Sequence, residues 1–475
     1  MGSSTGAEGL APHAAVLPIP TLRHITPFLH LSRALASRGF VITFINTEGN
    51  HRDLKDIVSQ EESFGYGGGI RFETVPGIQA SDVDFAVPEK RGMFSEAVME
   101  MQAPVESLLI RNMARDDDLV PPVSCFISDM FPWSAEVARR TGIPEVKFWI
   151  ASASCVLLDC SFPRMLEKGD VPVQDRSIEK YITYVDGLSP LPIWGLPRDL
   201  SAIDESRFAG RYARAKSFAT TSWVLVNSFE ELEGSATFQA LRDISPKAIA
   251  VGPLFTMAPG CNKASLWKED TESLSWLGKQ SPGSVLYISL GTIATLSFDQ
   301  FKEFSEGLRL LQRPFIWAIR PKSVAGMEPE FLERFKEAVR SFGLVVSRAP
   351  QVDILRHPST AGFLSHCGWN SILESVASAV PMLCWPCVAE QNLNCKLIVE
   401  DWKIGLKFSC VTMPDPPEVM ARDEFVEVVE RFMGTDSEHL RINVKKLSEE
   451  ARRAVSSGGS SYENLERFAQ AVKIS

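Results

Sequence analysis

FLSHCGWNSILESV, residues 363–376, passes from apolar residues into a knot of His, Cys, Trp, Asn and Ser, then into an apolar run carrying one acid, Glu374. The apolar start reads as a buried strand that begins at Ala361 and ends at Ser365. Asn370 and Ser371 are favoured helix N-caps, so a helix is expected to begin at one of them. The first turn of a helix leaves backbone N–H groups unpaired and carries partial positive charge, which suits phosphate oxygens. His366, Asn370 and Ser371 add side-chain donors there, and Glu374 lies one turn on, where a carboxylate can accept from the two hydroxyls of a ribose. A capped strand-to-helix turn without a ligand reads equally well from these residues alone. Their chemistry points to a nucleotide diphosphate.

Working outward, the same strand-then-helix rhythm continues on both sides. SVLYISL (284–290), a helix over 298–312, FIWAIR (315–320) and LVVSRAP (344–350) precede the site. In the front half, HAAVLPIP (13–20) and FVITFIN (40–46) flank a helical TLRHITPFLHLSRALASRG, a βαβ unit that implies a parallel sheet. VSCFISDMF (123–131), PEVKFWIA (144–151) and WVLVNSF (223–229) extend it. PLFTMAPGCNKASLWKED (253–270) breaks the rhythm with Pro, Gly and polar residues and reads as a linker. The expected fold is α/β, with two Rossmann-like, doubly wound domains facing across a cleft at the carboxyl ends of their strands. The boundaries are 1–252, a linker 253–270, 271–455, and a C-terminal helix within 456–475 that packs back on the first domain.

Composition narrows the function classes. Lys and Arg total 49 against 59 Asp and Glu, a net charge of −10 that argues against nucleic acid or an anionic membrane as the main partner. No apolar run is long enough to span a bilayer, and the small, polar N-terminus is not read as a signal peptide. Its Met-Gly start has Gly6 where a myristoylation motif wants Ser or Thr. Nine cysteines among apolar neighbours read as reduced thiols, which makes a cytoplasmic protein the expectation. Cys384 and Cys387 form a CxxC without a second pair at zinc spacing, so no metal use is expected of it.

The longest signal runs unbroken from Arg348 to Gln391: RAPQVDILRHPSTAGFLSHCGWNSILESVASAVPMLCWPCVAEQ. It closely resembles the signature box of the plant family 1 UDP-dependent glycosyltransferases, and PTLRHITPFLHLSRALASRGF, SVLYISLGT and GGSSYENLERF resemble the same family more weakly. The resemblance implies the GT-B fold and transfer of a sugar from a UDP-sugar to a small hydroxylated acceptor. It implies His366, Asn370 and Ser371 on the diphosphate, Ala349 and Gln351 at the uracil, and Glu374 on the ribose. Trp369, Glu390 and Gln391 would line the sugar, with Gln391 pointing to UDP-glucose. Thr292 stands where the family contacts phosphate, and a helix cap is its other reading. The box departs from the family at its opening, where Arg348 replaces a Trp that stacks on uracil. A planar guanidinium can also stack or donate. Ala318 and Ile150 stand where relatives often offer hydroxyls.

Glycosyl transfer needs a base for the acceptor's proton. His24, past the first strand, and Asp129, at the end of VSCFISD, sit at expected strand ends, so Asp129 can orient His24 and stabilise its imidazolium. Spacing leaves His13, His30 and His51 as competitors, and the resemblance selects His24 with Asp129. In-line displacement on an α-linked donor would give a β-glycoside, with no metal required. The acid pair in DVD (82–84) and the run Asp116–Asp118 read as solvated surface. Met93, Phe94, Met130, Phe131, Trp133 and Trp149 are candidates for an apolar wall around a flat phenolic, flavonoid or terpenoid acceptor, with core packing as the alternative for each. The expected partners are thus UDP-glucose or a related UDP-sugar and the acceptor, with the protein acting as a monomer.

Two rivals belong to other classes. A dinucleotide-dependent oxidoreductase would want GxGxxG after the first strand, where this chain has PTLRHI. A non-catalytic nucleotide-sugar-binding protein would keep the box and have no use for His24 or Asp129.

Overall fold

The computed structural model describes residues 11–54, 69–78, 88–114, 120–201, 205–257, 271–291, 296–320, 323–412 and 419–474. Two wholly parallel sheets organise the chain. The first contains β1 (His13–Leu17), β2 (Val41–Thr47), β3 (Ile70–Val75), β4 (Cys125–Ser128), β5 (Glu145–Trp149), β6 (Trp223–Val226) and β7 (Ala248–Ala250), in the order β3-β2-β1-β4-β5-β6-β7. The second contains β8 (Val285–Ser289), β9 (Phe315–Ala318), β10 (Gly343–Val346), β11 (Thr360–Ser365), β12 (Met382–Cys384) and β13 (Gly405–Lys407), in the order β10-β9-β8-β11-β12-β13. Strands β1, β2, β4 and β5 are buried at every residue, which is why they read as continuous apolar runs rather than alternating ones.

Each sheet reverses its winding once, between β1 and β4 in the front half and between β8 and β11 in the rear half. Helices leave opposite faces of the sheet at such a point, and a crevice opens beyond the strand ends. His24 follows β1 and Asp129 follows β4; Gly291 follows β8 and His366 follows β11. The two switch points therefore carry the residues singled out from the sequence.

The C-terminal helix Ser460–Ile474 packs on the front sheet. Leu465, Phe468, Ala469 and Val472 join the core of Phe28, Phe40 and Phe148. Phe468 stacks on Phe40 at 6.5 Å and meets Trp223 edge-on at 5.5 Å. Asn464 donates to the Ala250 carbonyl at 2.9 Å, and Arg38 pairs with Glu466 at 2.7 Å. The segment read as a linker begins differently from expectation, because Leu254 and Phe255 are buried in the two cores. Apolar side chains right after β7 find the domain seam before the chain turns polar. Residues 258–270 lie outside the described residues, as do Asp82–Asp84 and Asp116–Asp118.

Candidate functional site

His24 is the third residue of the helix Leu22–Ala36, whose entry is set by an extended Thr21. Its Nδ1 lies 2.7 Å from Asp129 Oδ2. Since the carboxylate can only accept, Nδ1 carries the proton and Nε2 is left with its lone pair. Asp129 is 1% exposed and also accepts from the backbone N–H of Ile19, at 3.0 Å, and of Met130, at 2.7 Å. Burial opposes its charge, but the His24 interaction and those two N–H donors prevail and hold the carboxyl below its ordinary value. Of the competing histidines, His13 is fully buried between the Pro121 carbonyl and Thr43, and burial pushes buried His30 down to about 3. His51 packs edge-on against Phe72.

Across the cleft, the helix after β11 runs Trp369–Ala377. Its N-cap is Gly368, without a side-chain cap, rather than Asn370 or Ser371 as the sequence suggested. The reason is steric: a Cβ at Gly368 would meet the His366 ring at 2.5 Å, and one at Gly291 would meet it at 2.6 Å. The imidazole is thus clamped between two glycines, Gly291 with φ +73. Burial, aided by the Arg23 charge, pushes His366 down to about 4, so the ring is neutral at neutral pH. Its buried Nδ1 has no partner among the described residues. A buried polar nitrogen left without a partner costs about 1–3 kcal/mol.

Gln351 ties together three polar side chains of the rear wall. Its Nε2 reaches Ser371 Oγ at 2.9 Å and Glu374 Oε2 at 2.6 Å, and its Oε1 accepts from Tyr287 at 3.3 Å. Burial pushes Glu374 up to about 7 against the opposing Gln351 bond and Arg356 charge. Farther along the rear wall, Gln391 Oε1 accepts from the N–H of Cys387 and of Val388, at 2.8 and 2.9 Å. Trp369 lines the cleft, but its indole is a fastener: Nε1 donates to the Asn227 carbonyl of the front half at 2.8 Å. Asn370 Nδ2 reaches the Arg23 carbonyl at 3.0 Å.

One cavity of about 620 Å³ takes in both sides. Of the expected donor residues, Arg348, Ala349, Gln351, His366, Trp369, Asn370, Ser371, Glu374, Glu390 and Gln391 line it, together with His24 and Asp129. Thr292 falls outside the described residues. Of the acceptor wall, Phe94, Met130 and Trp149 line the cavity, and so do Ile150 and Ala318. Three members, Met93, Phe131 and Trp133, are corrected. Met93 is 62% exposed and lies off the cavity. Phe131 is 3% exposed and packs on Trp133 at 4.8 Å, in the core behind the sheet. Alternation past β4 sends Met130 to the cleft and its neighbour inward, and Trp133 is held there by a bond to the Val98 carbonyl.

Sequence reading missed the charged lining. Arg23 is enclosed between the halves although solvent reaches it through the cleft, and burial lowers its pKa against the pull of Glu390 and Asp129. Asp159, Asp199, Arg211 and Arg214 also line the cavity, on helices that showed no motif. Cys384 does not pair with Cys387 as CxxC would suggest. Its sulfur lies instead within 4.8 Å of those of Cys367 and Cys395, and these three, all fully buried behind the cavity wall, form a group fit to hold a metal ion among the described residues. No helix of the described residues is long and apolar enough to cross a membrane.

Comparison with known proteins gives the same reading over the whole length. A family profile described as UDP-glucoronosyl and UDP-glucosyl transferase matches residues 254–420. The chain is 34% identical to a 7-deoxyloganetin glucosyltransferase of Gardenia jasminoides, with 97% of each chain covered. It is 32% identical, again over 97% of each, to linamarin synthase 1 of Manihot esculenta. Among solved structures, a Polygonum tinctorium UDP-glucosyltransferase that glucosylates indoxyl superposes with a TM-score of 0.82 at 25% identity, covering 98% of this chain and all of that one. A Phytolacca americana enzyme solved with UDP-2-fluoro-glucose and pterostilbene gives 0.79 at 25% identity, covering 97% and 99%. Similarity that spans both sheets, and not the signature box alone, means that this chain belongs to the plant family 1 UDP-dependent glycosyltransferases and has their two-domain GT-B fold.

Proposed function

We propose that the protein transfers glucose from UDP-glucose to a hydroxyl of a small, largely apolar acceptor, with inversion to a β-O-glucoside. Residues 1–252 receive the acceptor and 271–455 the donor, and 456–475 strap the two. The uridine lies along Ala349 and Gln351, with Arg348 over the base, and Glu374 accepts from the ribose hydroxyls. The pyrophosphate rests on the first turn of the helix Trp369–Ala377, with donors from His366, Asn370 and Ser371 and a further contact from Thr292. Glu390 and Gln391 fix the sugar hydroxyls, while Phe94, Met130 and Trp149 pack on the acceptor.

His24 Nε2 takes the acceptor's hydroxyl proton as that oxygen bonds to the anomeric carbon. The bond from that carbon to the phosphate oxygen breaks on the opposite face, and UDP leaves with the electron pair. Asp129, held ionised by His24 itself and by its two backbone donors, stabilises the imidazolium formed. The charge that grows on UDP is met by helix N–H groups and a neutral imidazole donor already in place, so no metal is required. The protein works in the cytoplasm as a monomer.

One observation carries this reading: the His24–Asp129 pair and His366 line the same cavity of about 620 Å³. The test is incubation with a panel of UDP-sugars and aglycones, with and without chelator, read by mass and by the anomeric coupling of the product. The expected result is a β-glucoside from UDP-glucose, undiminished by chelator. An α-product, or loss of activity with chelator, would overturn the mechanism.

A further inference from the structure

The acceptor end of the cavity is not wholly apolar. Three front-half elements meet there: the helix Ala153–Glu167 brings Asp159, the helix Glu205–Thr220 brings Arg211 and Arg214, and the turn Arg198–Leu200 brings Asp199. Asp159 is 1% exposed and Arg211 7%. Arg211 Nη1 bonds Asp159 Oδ1, and its Nη2 reaches both oxygens of Asp199 at 2.9 and 2.8 Å. Arg214 Nε donates to Asp159 Oδ2 at 3.1 Å.

A count of donors against acceptors shows what this cluster lacks. All four carboxylate oxygens already accept a hydrogen bond. Each guanidinium has five N–H donors. The buried Nε of Arg211 has no partner among the described residues, and Arg214, 34% exposed, meets the cluster through its Nε. The charges of Asp159, Asp199, Arg211 and Arg214 sum to zero, and Arg214 is the more exposed of the two guanidinium groups. What Arg214 offers the cavity is its remaining guanidinium donors, held in place by Asp159. A ligand that uses those donors must bring oxygens that accept.

We propose that this cluster is an acceptor-specificity subsite, with Arg214 as the binding residue, which favours acceptors carrying a carboxylate remote from the hydroxyl that receives the sugar. Asp159, Asp199 and Arg211 are its frame. A carboxylate is favoured over a neutral carbonyl because hydrogen bonds to a charged acceptor are about twice as strong. The proposal rests on the transfer reaction proposed above.

The test compares three phenols that differ only at the far end: 4-hydroxycinnamate, its methyl ester and 4-propenylphenol. We expect kcat/KM for phenolic glucosylation to fall in that order, by about tenfold or more from first to last. Arg214→Met should collapse that ratio to about twofold, and Arg214→Lys should retain an intermediate value. Calorimetric titration of the same phenols in the presence of UDP reads the preference without turnover, and UDP binding shows that each variant is folded. A preference in binding without any product would uphold the subsite and overturn only the transfer reaction. Turnover of all three phenols at similar kcat/KM, or a ratio that survives Arg214→Met, would overturn the subsite. So would a carboxylate preference that follows the donor, seen as faster use of UDP-glucuronate than of UDP-glucose and lost in Arg214→Met.

Discussion

The two walls of the cleft are built on the same strand order and differ in how their chemistry is distributed. The rear wall draws its lining chiefly from one stretch, Arg348 to Gln391, in which β11 and β12 each end at the cavity and pass into a helix. The front wall draws His24, Phe94, Asp129, Trp149, Asp159 and Arg214 from six separate elements. A nucleotide presents a fixed set of groups, which consecutive strand ends can meet in order. An acceptor touches whatever side chains converge from distant parts of the chain. The rear wall is therefore a linear device and the front wall an assembled one.

The largest way to break this contrast is at the front. His24→Ala should lower kcat by roughly 10²–10⁴-fold, the usual worth of a general base. UDP-glucose binding, followed by calorimetry, should stay within about twofold. A parallel loss of donor affinity would show that the walls are not separable in this way.

The next effect belongs to the rear wall and reads its electrostatics. Burial raises Glu374 to about 7, and a ribose needs the ionised form. Below that pH a proton must leave when donor binds, so affinity for UDP-glucose should weaken by up to about tenfold per pH unit as pH falls below 7, and level off above it. Glu374→Gln should flatten the profile. A dependence that persists in the variant would assign it to another group. The same shift has the opposite sense for stability, since the folded state holds the proton more tightly than the unfolded chain: the stability that this proton gives is present in acid and is lost as pH rises through about 7.

Smaller still is the base-stacking change. Arg348 is exposed at the cavity mouth. Arg348→Trp should tighten UDP-glucose by about two- to tenfold, since aromatic stacking is worth about 0.5–1.5 kcal/mol beyond area. No tightening at all would count against base stacking at this position. The smallest expected effect joins the two walls. Trp369→Phe removes the indole bond to the Asn227 carbonyl and should cost about 1 kcal/mol in urea unfolding, with kcat altered less than twofold.

Legibility in the sequence followed the same division. Strands buried on both faces announced both sheets, and the rear wall could be read residue by residue because its order in the chain is its order in space. The front wall yielded its dyad through two strand ends. It hid the rest: Phe131 and Met130 are neighbours sent to opposite sides, and Met93 is an apolar side chain left in solvent. Asp159, Arg211 and Arg214 looked like ordinary helix-surface charges. Only packing of the helices Ala153–Glu167 and Glu205–Thr220 turns them inward, and helical spacing cannot say which neighbour a helix will meet. The cap at Gly368 escaped for a similar reason, since the ring that excludes a side chain there becomes visible only once His366 is placed.

Trp369 and Asn370 reach the front half at two points, the Asn227 carbonyl after β6 and the Arg23 carbonyl beside His24. The seam has further fasteners, since Asn392 Nδ2 donates to the Trp194 carbonyl at 2.8 Å and Ser189 to Asp401 at 2.8 Å. A joint held at several places shares its load, so losing one bond leaves the imidazole and the first helical turn of the rear half nearly as far apart as before.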